Sequence, residues 1–385
     1  MRALVVSILS VAITISATSL AQSIPPDTIR DEAIGWIKVY DFKGATAPVK
    51  VDHRLYTAAQ LSIGRLIANW IQASYLPTGG LGDVIQSVSE KLGAYNQNTA
   101  ALPQSYGAYA KIYTDLKYGA NRKIERASNS HVIWSVKANG FYGEPADALS
   151  TPEHYYFTLP SFAEQVHEDV SGLEKAVDLS RHPVLGQFPA YFQRNSVNGN
   201  RKYVLLSKDH RFPFVKITKG EYLDITGAAM ARAYTTEKDK ISRDNKGNQK
   251  SIDYFIKYLN DKHDKRTAVL KNNREKYKDR LQETAEIFTM QPDAMLENYP
   301  DVFEGNGGSR LKLPVYTIDP VMAELCTTDA PQWIVVSWTA QLNDPVIKHL
   351  HEAVINNFNF EYVYNYFFYP EKVKGQPYTP LARQK

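Results

Sequence analysis

The sequence has a single cysteine, Cys326, among its 385 residues. One thiol cannot form a disulfide within its own chain, so the fold has to be held together by packing and hydrogen bonds alone. The chain also contains no Asn-x-Ser/Thr acceptor site for glycosylation. Together, these absences favour a bacterial envelope or secreted protein over a secreted eukaryotic one. We expect Cys326 to be a buried and unreactive thiol.

Motifs for nucleophilic catalysis and nucleotide binding are also missing. The sequence has no Gly-x-Ser-x-Gly nucleophile elbow, and no Gly-Lys-Ser/Thr follows a Gly-rich loop. The Gly-rich stretch 79–84 contains Asp83, whose negative charge would repel a phosphate there. Ser309 and Lys312 have Ser-x-x-Lys spacing, but they lie between a Gly-rich loop and a predicted strand rather than on one helix. We therefore predict no cofactor, and the sequence identifies no catalytic residue.

The histidines are weak candidates for metal binding. His349 and His351 lie two residues apart in a segment that we predict to be helical, where their side chains would point about 200° apart. The sequence contains no His-Glu-x-x-His motif. We expect no bound metal and retain His349 and His351 only as weak candidates.

The first 21 residues have the layout of a secretory signal peptide. Arg2 precedes an apolar run over 3–15, and Ser19-Leu20-Ala21 is a small-x-small cleavage site. The run is shorter than the roughly 20 residues that span a bilayer, although a retained anchor is the alternative. We expect cleavage near Ala21 and an exported chain, periplasmic or secreted, with no transmembrane span.

Charge is mild overall and concentrated in one segment. The formal net charge of +4 is too small to indicate a nucleic-acid partner. Between Glu237 and Arg280, however, there are 14 Lys and Arg against 8 Asp and Glu, a local net charge of +6. Such a segment could bind anionic lipid or polysaccharide, or it could simply be a solvated charged face.

Apolar spacing predicts helices at both ends of a chain that is otherwise rich in strands. Apolar residues three or four apart predict a helix over about 55–74, and Asp344-Pro345 is a typical start for a helix to about 358. Asp83 and Gln86 resemble a capping box, which predicts a short helix ending near Gly93. Alternating or continuous apolar segments predict strands at about 34–42, 106–116, 131–138, 154–159, 189–194, 202–207, 212–217, 313–318 and 332–339.

A charged helical hairpin is predicted over about 219–288. Thr218 and Glu221 form a capping box before a helix to about 234, and a polar break at 244–249 separates it from a helix over about 252–288. In the second helix Ile256, His263, Leu270 and Tyr277 recur every seven residues. This narrow apolar seam predicts two antiparallel helices that are largely solvated.

Together, the segments predict an α+β fold with a mainly antiparallel sheet covered by helices and the hairpin attached. After the signal peptide, 1–21, we expect a single unit over 22–385. A division into two lobes, 22–218 and 219–385, stays open. The runs from Pro331 to Phe358 and from Phe214 to Leu223 resemble stretches of an uncharacterised family of secreted bacterial proteins. That resemblance implies no activity.

Twenty-five tyrosines suggest half-buried or ligand-facing rings. Five aromatic residues surround the Gly-rich stretch 79–84 and are candidates for stacking against a sugar or an apolar ligand, with core packing as the alternative: Trp70, Tyr75, Tyr95, Tyr106 and Tyr109.

The leading functional hypothesis is a non-catalytic exported binding or envelope-associated protein, with a glycan or an anionic envelope component as its partner and no nucleic acid. One alternative is an envelope or polysaccharide hydrolase with paired carboxylates. Its candidate carboxylates lie near aromatic segments: Glu144, Asp147, Glu153, Glu164 and Asp169. A second alternative is an assembly partner that acts through the hairpin, and the oligomeric state stays open.

Overall fold

The structure is a computed structural model. It describes residues 24–40, 47–51, 54–88, 103–119, 122–140, 144–145, 155–159, 182–188, 190–196, 199–288, 300–304, 312–341 and 343–381. The predicted signal peptide lies outside these residues. The fold is α+β, as the sequence predicts, and it combines a mixed central sheet with helices.

The described residues form the following strands in chain order: β1 (Trp36–Tyr40), β2 (Val49–Val51), β3 (Arg54–Tyr56), β4 (Leu81–Val88), β5 (Tyr106–Tyr113), β6 (Leu116–Tyr118), β7 (Ile124–Arg126), β8 (His131–Ala138), β9 (Glu144–Pro145), β10 (Tyr156–Thr158), β11 (Ala190–Ser196), β12 (Gly199–Ser207), β13 (Phe214–Lys216), β14 (Glu286–Phe288), β15 (Lys312–Ile318) and β16 (Trp333–Ala340). Their helices are α1 (Pro26–Ile29), α2 (Ala58–Ser74), α3 (Lys219–Asp244), α4 (Gln249–Lys276), α5 (Pro320–Leu325), α6 (Pro345–Asn357) and α7 (Phe360–Phe368).

A seven-stranded sheet in the order β1-β4-β5-β8-β16-β12-β11 forms the centre of the protein. The pairing of β1 with β4 is parallel, and the other pairings in this sheet are antiparallel. Every residue of β16 is buried, which fits the near-continuous apolar run from Trp333 to Trp338. That run belongs to an interior strand because both of its edges pair with neighbouring strands.

The helix predicted to start at Asp83 is wrong, because residues 81–88 form β4. A capping box describes only the first turn of a helix, whereas β4 gains backbone hydrogen bonds along both edges, to β1 and to β5. The residues of β4 are buried on both faces of the strand. This burial is typical of an interior strand and not of a short surface helix. Tertiary pairing therefore overrides the local signal.

One face of the central sheet is covered by α2, α6 and α7. These helices begin at side-chain caps that the sequence encodes: Thr57 and Gln60 form a capping box at α2, and Asp344 accepts hydrogen bonds from the backbone of Val346 and Ile347. The core between helices and sheet includes Ile67, Ile71, Val84, Trp134, Val136, Val336, Leu350, Val354, Phe358 and Val363. This cluster is the largest buried apolar cluster of the described residues.

A second sheet, in the order β13-β15-β10-β9 with β14 also paired to β15, packs against part of the opposite face. Phe157 and Phe214 lie 4.9 Å apart between ring centroids, and Phe214 lies 5.6 Å from Trp333 of the central sheet. Leu205 and Val335 join the same buried cluster. The two sheets are therefore held together by aromatic packing.

The predicted helical hairpin is confirmed as α3 and α4, which we call the arm. Thr218 and Glu221 form the predicted capping box, and the turn lies at 245–248. The arm is antiparallel, since Tyr234 of α3 donates a hydrogen bond to Asn260 of α4 at 2.7 Å. Helix α4 ends at Lys276 rather than 288, because the chain turns after Tyr277 and residues 286–288 pair with β15 instead.

The base of the arm is fixed by Asp301. This carboxylate accepts a hydrogen bond from the Tyr277 hydroxyl at 2.8 Å and from two backbone N–H groups, those of Phe303 and Glu304. The salt bridge from Lys276 and these donors hold the pKa of Asp301 below its ordinary value although burial opposes the shift. These contacts connect the end of α4 to residues 301–304.

Candidate functional site

The arm carries the most conspicuous exposed surface in the described part of the chain. Tyr254, Phe255 and Tyr258 of α4 expose 69%, 43% and 64% of their surface. We call these three residues the arm patch. Tyr254 and Tyr258 are four residues apart, which places them on the same side of the helix. Since large apolar side chains are usually buried, a contiguous exposed group of them indicates a binding surface.

A groove of about 440 Å³ lies beside the arm patch, between α3 and α4. Its lining is mainly apolar and also includes charged side chains: Met230, Ala233, Tyr234, Glu237, Ile241, Phe255, Tyr258, Leu259, Lys262, His263 and Arg266. Phe255 and Tyr258 belong both to the groove and to the arm patch. The two features therefore form one continuous surface.

The seam between the two helices of the arm is polar beside the groove. The heptad position that could hold a leucine is His263, whose ring lies 4.5 Å from that of Tyr234. The Tyr234 hydroxyl points to Asn260 rather than into an apolar core. Polar partners of this kind keep the helices in register at a cost in stability. The groove lies beside this polar part of the seam.

Exposed lysines lie close to the arm patch along the chain. Lys250, Lys257 and Lys265 are exposed on the same helix, and Lys246 is exposed in the turn just before it. They belong to the segment 237–280 with its local net charge of +6. The combination of exposed rings and ammonium groups fits a partner that is anionic and partly apolar.

The aromatic candidates from the sequence are located elsewhere. Trp70, Tyr75 and Tyr106 are buried in the core, which favours the core-packing alternative for these three rings. Trp70 stacks on Tyr378 at 5.3 Å, and the Tyr106 hydroxyl donates to the backbone oxygen of Asp329 at 2.7 Å. Burial raises the pKa of the Tyr75 and Tyr106 hydroxyls above their ordinary value.

The remaining two aromatic candidates differ from these. Tyr109 is half-buried and lies on the opposite face of β5 from the core residues Ala108 and Ala110. Tyr95 lies outside the described residues. The structure thus assigns three of the five rings to packing and leaves Tyr109 on a different, more polar surface.

In the part of the chain that the structure describes, His349 and His351 are not brought together with further metal ligands. Among the described residues, no group of three or more His, Cys, Asp or Glu side chains could hold a metal ion. His351 is buried, and its Nδ1 accepts a hydrogen bond from the Trp338 indole at 2.9 Å. Burial, with Lys202 and His182 nearby, lowers the pKa of His351 to about 3, so its ring is neutral. Burial also lowers the pKa of His349.

Cys326 is buried, as predicted, and burial raises the pKa of its thiol to about 12. A thiol of this kind is protonated at neutral pH and unreactive. Several other sequence candidates lie outside the described residues: Ser309, Asp147, Glu153, Glu164 and Asp169. Only the backbone of Glu144 is described, in β9. The hydrolase hypothesis therefore stays a prediction.

Sequence reasoning did not identify the arm patch. A usable signal was present, because three aromatic residues fall within five positions of α4 and none of them is on the heptad seam at 256, 259 and 263. Aromatic residues that lie off the buried seam of a solvated helix have to face water or a partner.

Comparisons of this chain with protein families, with curated proteins and with solved structures return no match. Within the described residues, no helix has the length and apolar character that a membrane crossing requires.

Proposed function

We propose that this chain is an exported, non-catalytic, envelope-associated binding protein that attaches to an anionic lipid surface through its arm. The observation that carries the proposal is the arm patch, in which Tyr254, Phe255 and Tyr258 are exposed among lysines. The signal-peptide layout of the first 21 residues supports the exported part of the proposal independently of the arm.

The chemistry of the arm patch suits a lipid headgroup layer. Tyrosine rings are amphipathic, with an apolar body that enters the interface and a hydroxyl that reaches water. Each lysine near an anionic membrane surface contributes about 1 kcal/mol to binding, and the contribution is screened by salt. An arm with both groups near its tip can therefore attach the protein to a bilayer without spanning it.

The test is co-sedimentation of the chain from residue 22 onward with vesicles of equal parts phosphatidylglycerol and phosphatidylcholine. We expect binding that weakens as the salt concentration rises and is absent with pure phosphatidylcholine. Changing the arm patch together, Tyr254→Ser, Phe255→Ser and Tyr258→Ser, should weaken vesicle binding by on the order of tenfold or more.

The matched control is Tyr118→Ser, since Tyr118 is 41% exposed on β6, away from the arm. It should leave vesicle binding unchanged. Equal binding by the wild type and the triple variant would refute the proposal. If instead the wild type forms a stoichiometric oligomer in analytical ultracentrifugation that the triple variant loses, the arm patch serves assembly rather than lipid binding.

A further inference from the structure

The groove between α3 and α4 has the length of one lipid acyl chain. Its lining runs from Met230 to Ile241 on α3 and from Phe255 to Arg266 on α4. Each of these ranges advances about 16 Å along its helix, at a rise of about 1.5 Å per residue. The hydrocarbon core of a bilayer is about 30 Å thick, so the chains of one leaflet extend over about 15 Å. The groove is therefore long enough for a single extended acyl chain.

The two ends of the groove differ in chemistry. The ring of Tyr234 on α3 lies 4.5 Å from that of His263 on α4, which shows the register of the two antiparallel helices. Arg266 accordingly lines the end of the groove near the base of the arm, and Ile241 and Phe255 line the end near the turn. Positive charge thus lies towards the base, and large apolar side chains lie towards the tip.

Two cationic side chains line the half of the groove that is nearer the base. Lys262 and Arg266 are half-buried and lie four residues apart on α4, which places them on the same side of that helix. Glu237 also lines the groove, and its exposed carboxylate lies 3.9 Å from the Lys240 ammonium. Lysine and arginine therefore outnumber carboxylates in the lining. This arrangement suits a ligand with an anionic group at one end and an apolar chain along the rest.

The size and charge of the groove disfavour a protein partner. Its volume of about 440 Å³ lies within the range of roughly 300–1,000 Å³ that small-molecule pockets have. A third helix of the same length and a width of about 10 Å would occupy roughly 1,250 Å³. A second copy of the arm would bring together two segments with a local net charge of +6, and like charges across an interface are unfavourable.

We infer that the groove holds one acyl chain of an anionic lipid, with the phosphate at Lys262 and Arg266 and the chain directed towards the tip of the arm. The inference rests on the proposed function and names the ligand of the same arm. The groove is continuous with the arm patch through Phe255 and Tyr258. A lipid in this position has its headgroup towards the base and its chain towards the tip, as in a leaflet that the tip enters. Charge-assisted hydrogen bonds from lysine and arginine select the anionic headgroup.

The test is isothermal titration of the chain from residue 22 onward with lysophosphatidylglycerol, a single-chain anionic lipid, below its critical micelle concentration. We expect saturable binding with a stoichiometry of one lipid per protein. Lysophosphatidylcholine with the same acyl chain should bind at least fivefold more weakly, because its headgroup has no net charge. Glycerol phosphate, which has the anionic group but no acyl chain, should show no measurable binding.

Ala233→Trp fills the groove and leaves every residue of the arm patch in place. Ala233 is exposed on α3 and lines the groove, so the folded variant should bind lysophosphatidylglycerol at least tenfold more weakly. The matched control is Ala231→Trp. Ala231 is also exposed on α3, but it lies about 200° around the helix from Ala233. The control should bind the lipid like the wild type.

Lys262→Gln tests the headgroup end of the groove without adding bulk. It should lower the affinity for lysophosphatidylglycerol several-fold and leave the affinity for lysophosphatidylcholine unchanged. Lys265→Gln is the matched control, because Lys265 is exposed on the same helix and is not part of the groove lining. It should change neither affinity.

Three results would each overturn the inference: no saturable binding of lysophosphatidylglycerol, equal affinities for the two lysolipids, or an unchanged affinity in folded Ala233→Trp. The vesicle experiment separates this failure from that of the proposed function. If the wild type binds vesicles but not the lysolipid, the groove is not a lipid site and attachment through the arm patch stands. If it binds the lysolipid but not vesicles, the groove binds a lipid and attachment to the membrane is refuted.

Discussion

In β16 of the central sheet every residue is buried, whereas on the arm the stretch 231–244 of α3 has Tyr234 and Ile241 half-buried and its other residues exposed. The same chain thus stabilises its two regions differently. The sheet buries side chains on both faces, and the arm buries one narrow seam that becomes less buried with distance from Tyr277. Burial on the arm is complete only at its base, where Leu270 and Tyr222 pack near Phe303.

This difference shows which exposed residues need a functional explanation. In the sheet, large side chains are retained because they fill the core. On the arm, Tyr254, Phe255 and Tyr258 contribute little to packing, so the stability of the fold does not explain them. Truncating a large side chain should therefore lower the free energy of unfolding strongly in the sheet and only slightly at the arm patch. At the arm patch the same truncation should instead weaken binding.

The largest expected loss of stability is that of Trp134→Ala. Trp134 is fully buried, with Phe358 at 5.4 Å and Tyr75 at 6.5 Å between ring centroids. Its removal leaves a cavity between the sheet and α6, and we expect the free energy of unfolding to fall by about 3–5 kcal/mol in chemical denaturation. Tyr254→Ala, at the arm patch, should change it by less than about 0.5 kcal/mol. Similar losses of stability in Trp134→Ala and Tyr254→Ala would contradict the difference between the sheet and the arm patch.

Along the arm, Leu270→Ala and Ile256→Ala sharpen the comparison. Leu270 is buried at the base and Ile256 is half-buried nearer the tip, although both occupy the same heptad position. We expect losses of about 2–3 kcal/mol for Leu270→Ala and about 1 kcal/mol for Ile256→Ala. Hydrogen exchange should show faster opening of the tip than of the base. The reverse order would show that the base does not anchor the arm.

Acid should weaken the sheet through His351. Its pKa is lowered to about 3 in the folded protein, below the ordinary value of 6.5, so protonation favours the unfolded state. The neutral ring makes its full contribution to the free energy of unfolding above about pH 6.5, and this contribution is lost as the pH falls from there towards 3. Between pH 7 and pH 5 we expect a loss of about 2 kcal/mol in the wild type that His351→Gln does not show. If the free energy of unfolding changes with pH equally in the wild type and in His351→Gln, His351 is not the cause of the loss.

The smallest expected effect is that of Tyr378→Phe. The Tyr378 hydroxyl lies 2.6 Å from Ser74 Oγ and accepts a hydrogen bond from the Asn359 amide at 3.0 Å, and its burial raises its pKa to about 12. We expect a loss of about 1 kcal/mol in the free energy of unfolding. Tyr258→Phe, at the exposed arm patch, is the matched control and should have no measurable effect. Equal effects would mean that the buried hydroxyl contributes nothing.

Local sequence signals predicted the parts of the fold that depend on neighbouring residues. The capping box at Thr218 and the pair Asp344-Pro345 start the observed helices α3 and α6, and the heptads predict the seam of the arm. The signal at Asp83 failed, because strand pairing on two sides outweighs a single helical cap. The buried rings of Trp70 and Tyr106 could not be distinguished from ligand-facing ones, since both roles use the same residue types.

The sequence by itself determined that no internal disulfide holds this chain together, that its fold is α+β, and that a charged antiparallel hairpin projects after Thr218. These properties follow from composition and from periodicities within single segments. Only the tertiary structure decided which aromatic rings are buried, where the arm patch lies, and which side chains of α3 and α4 line one groove. Those properties depend on contacts between residues far apart in the chain, and a spacing along the sequence does not encode a distance in space.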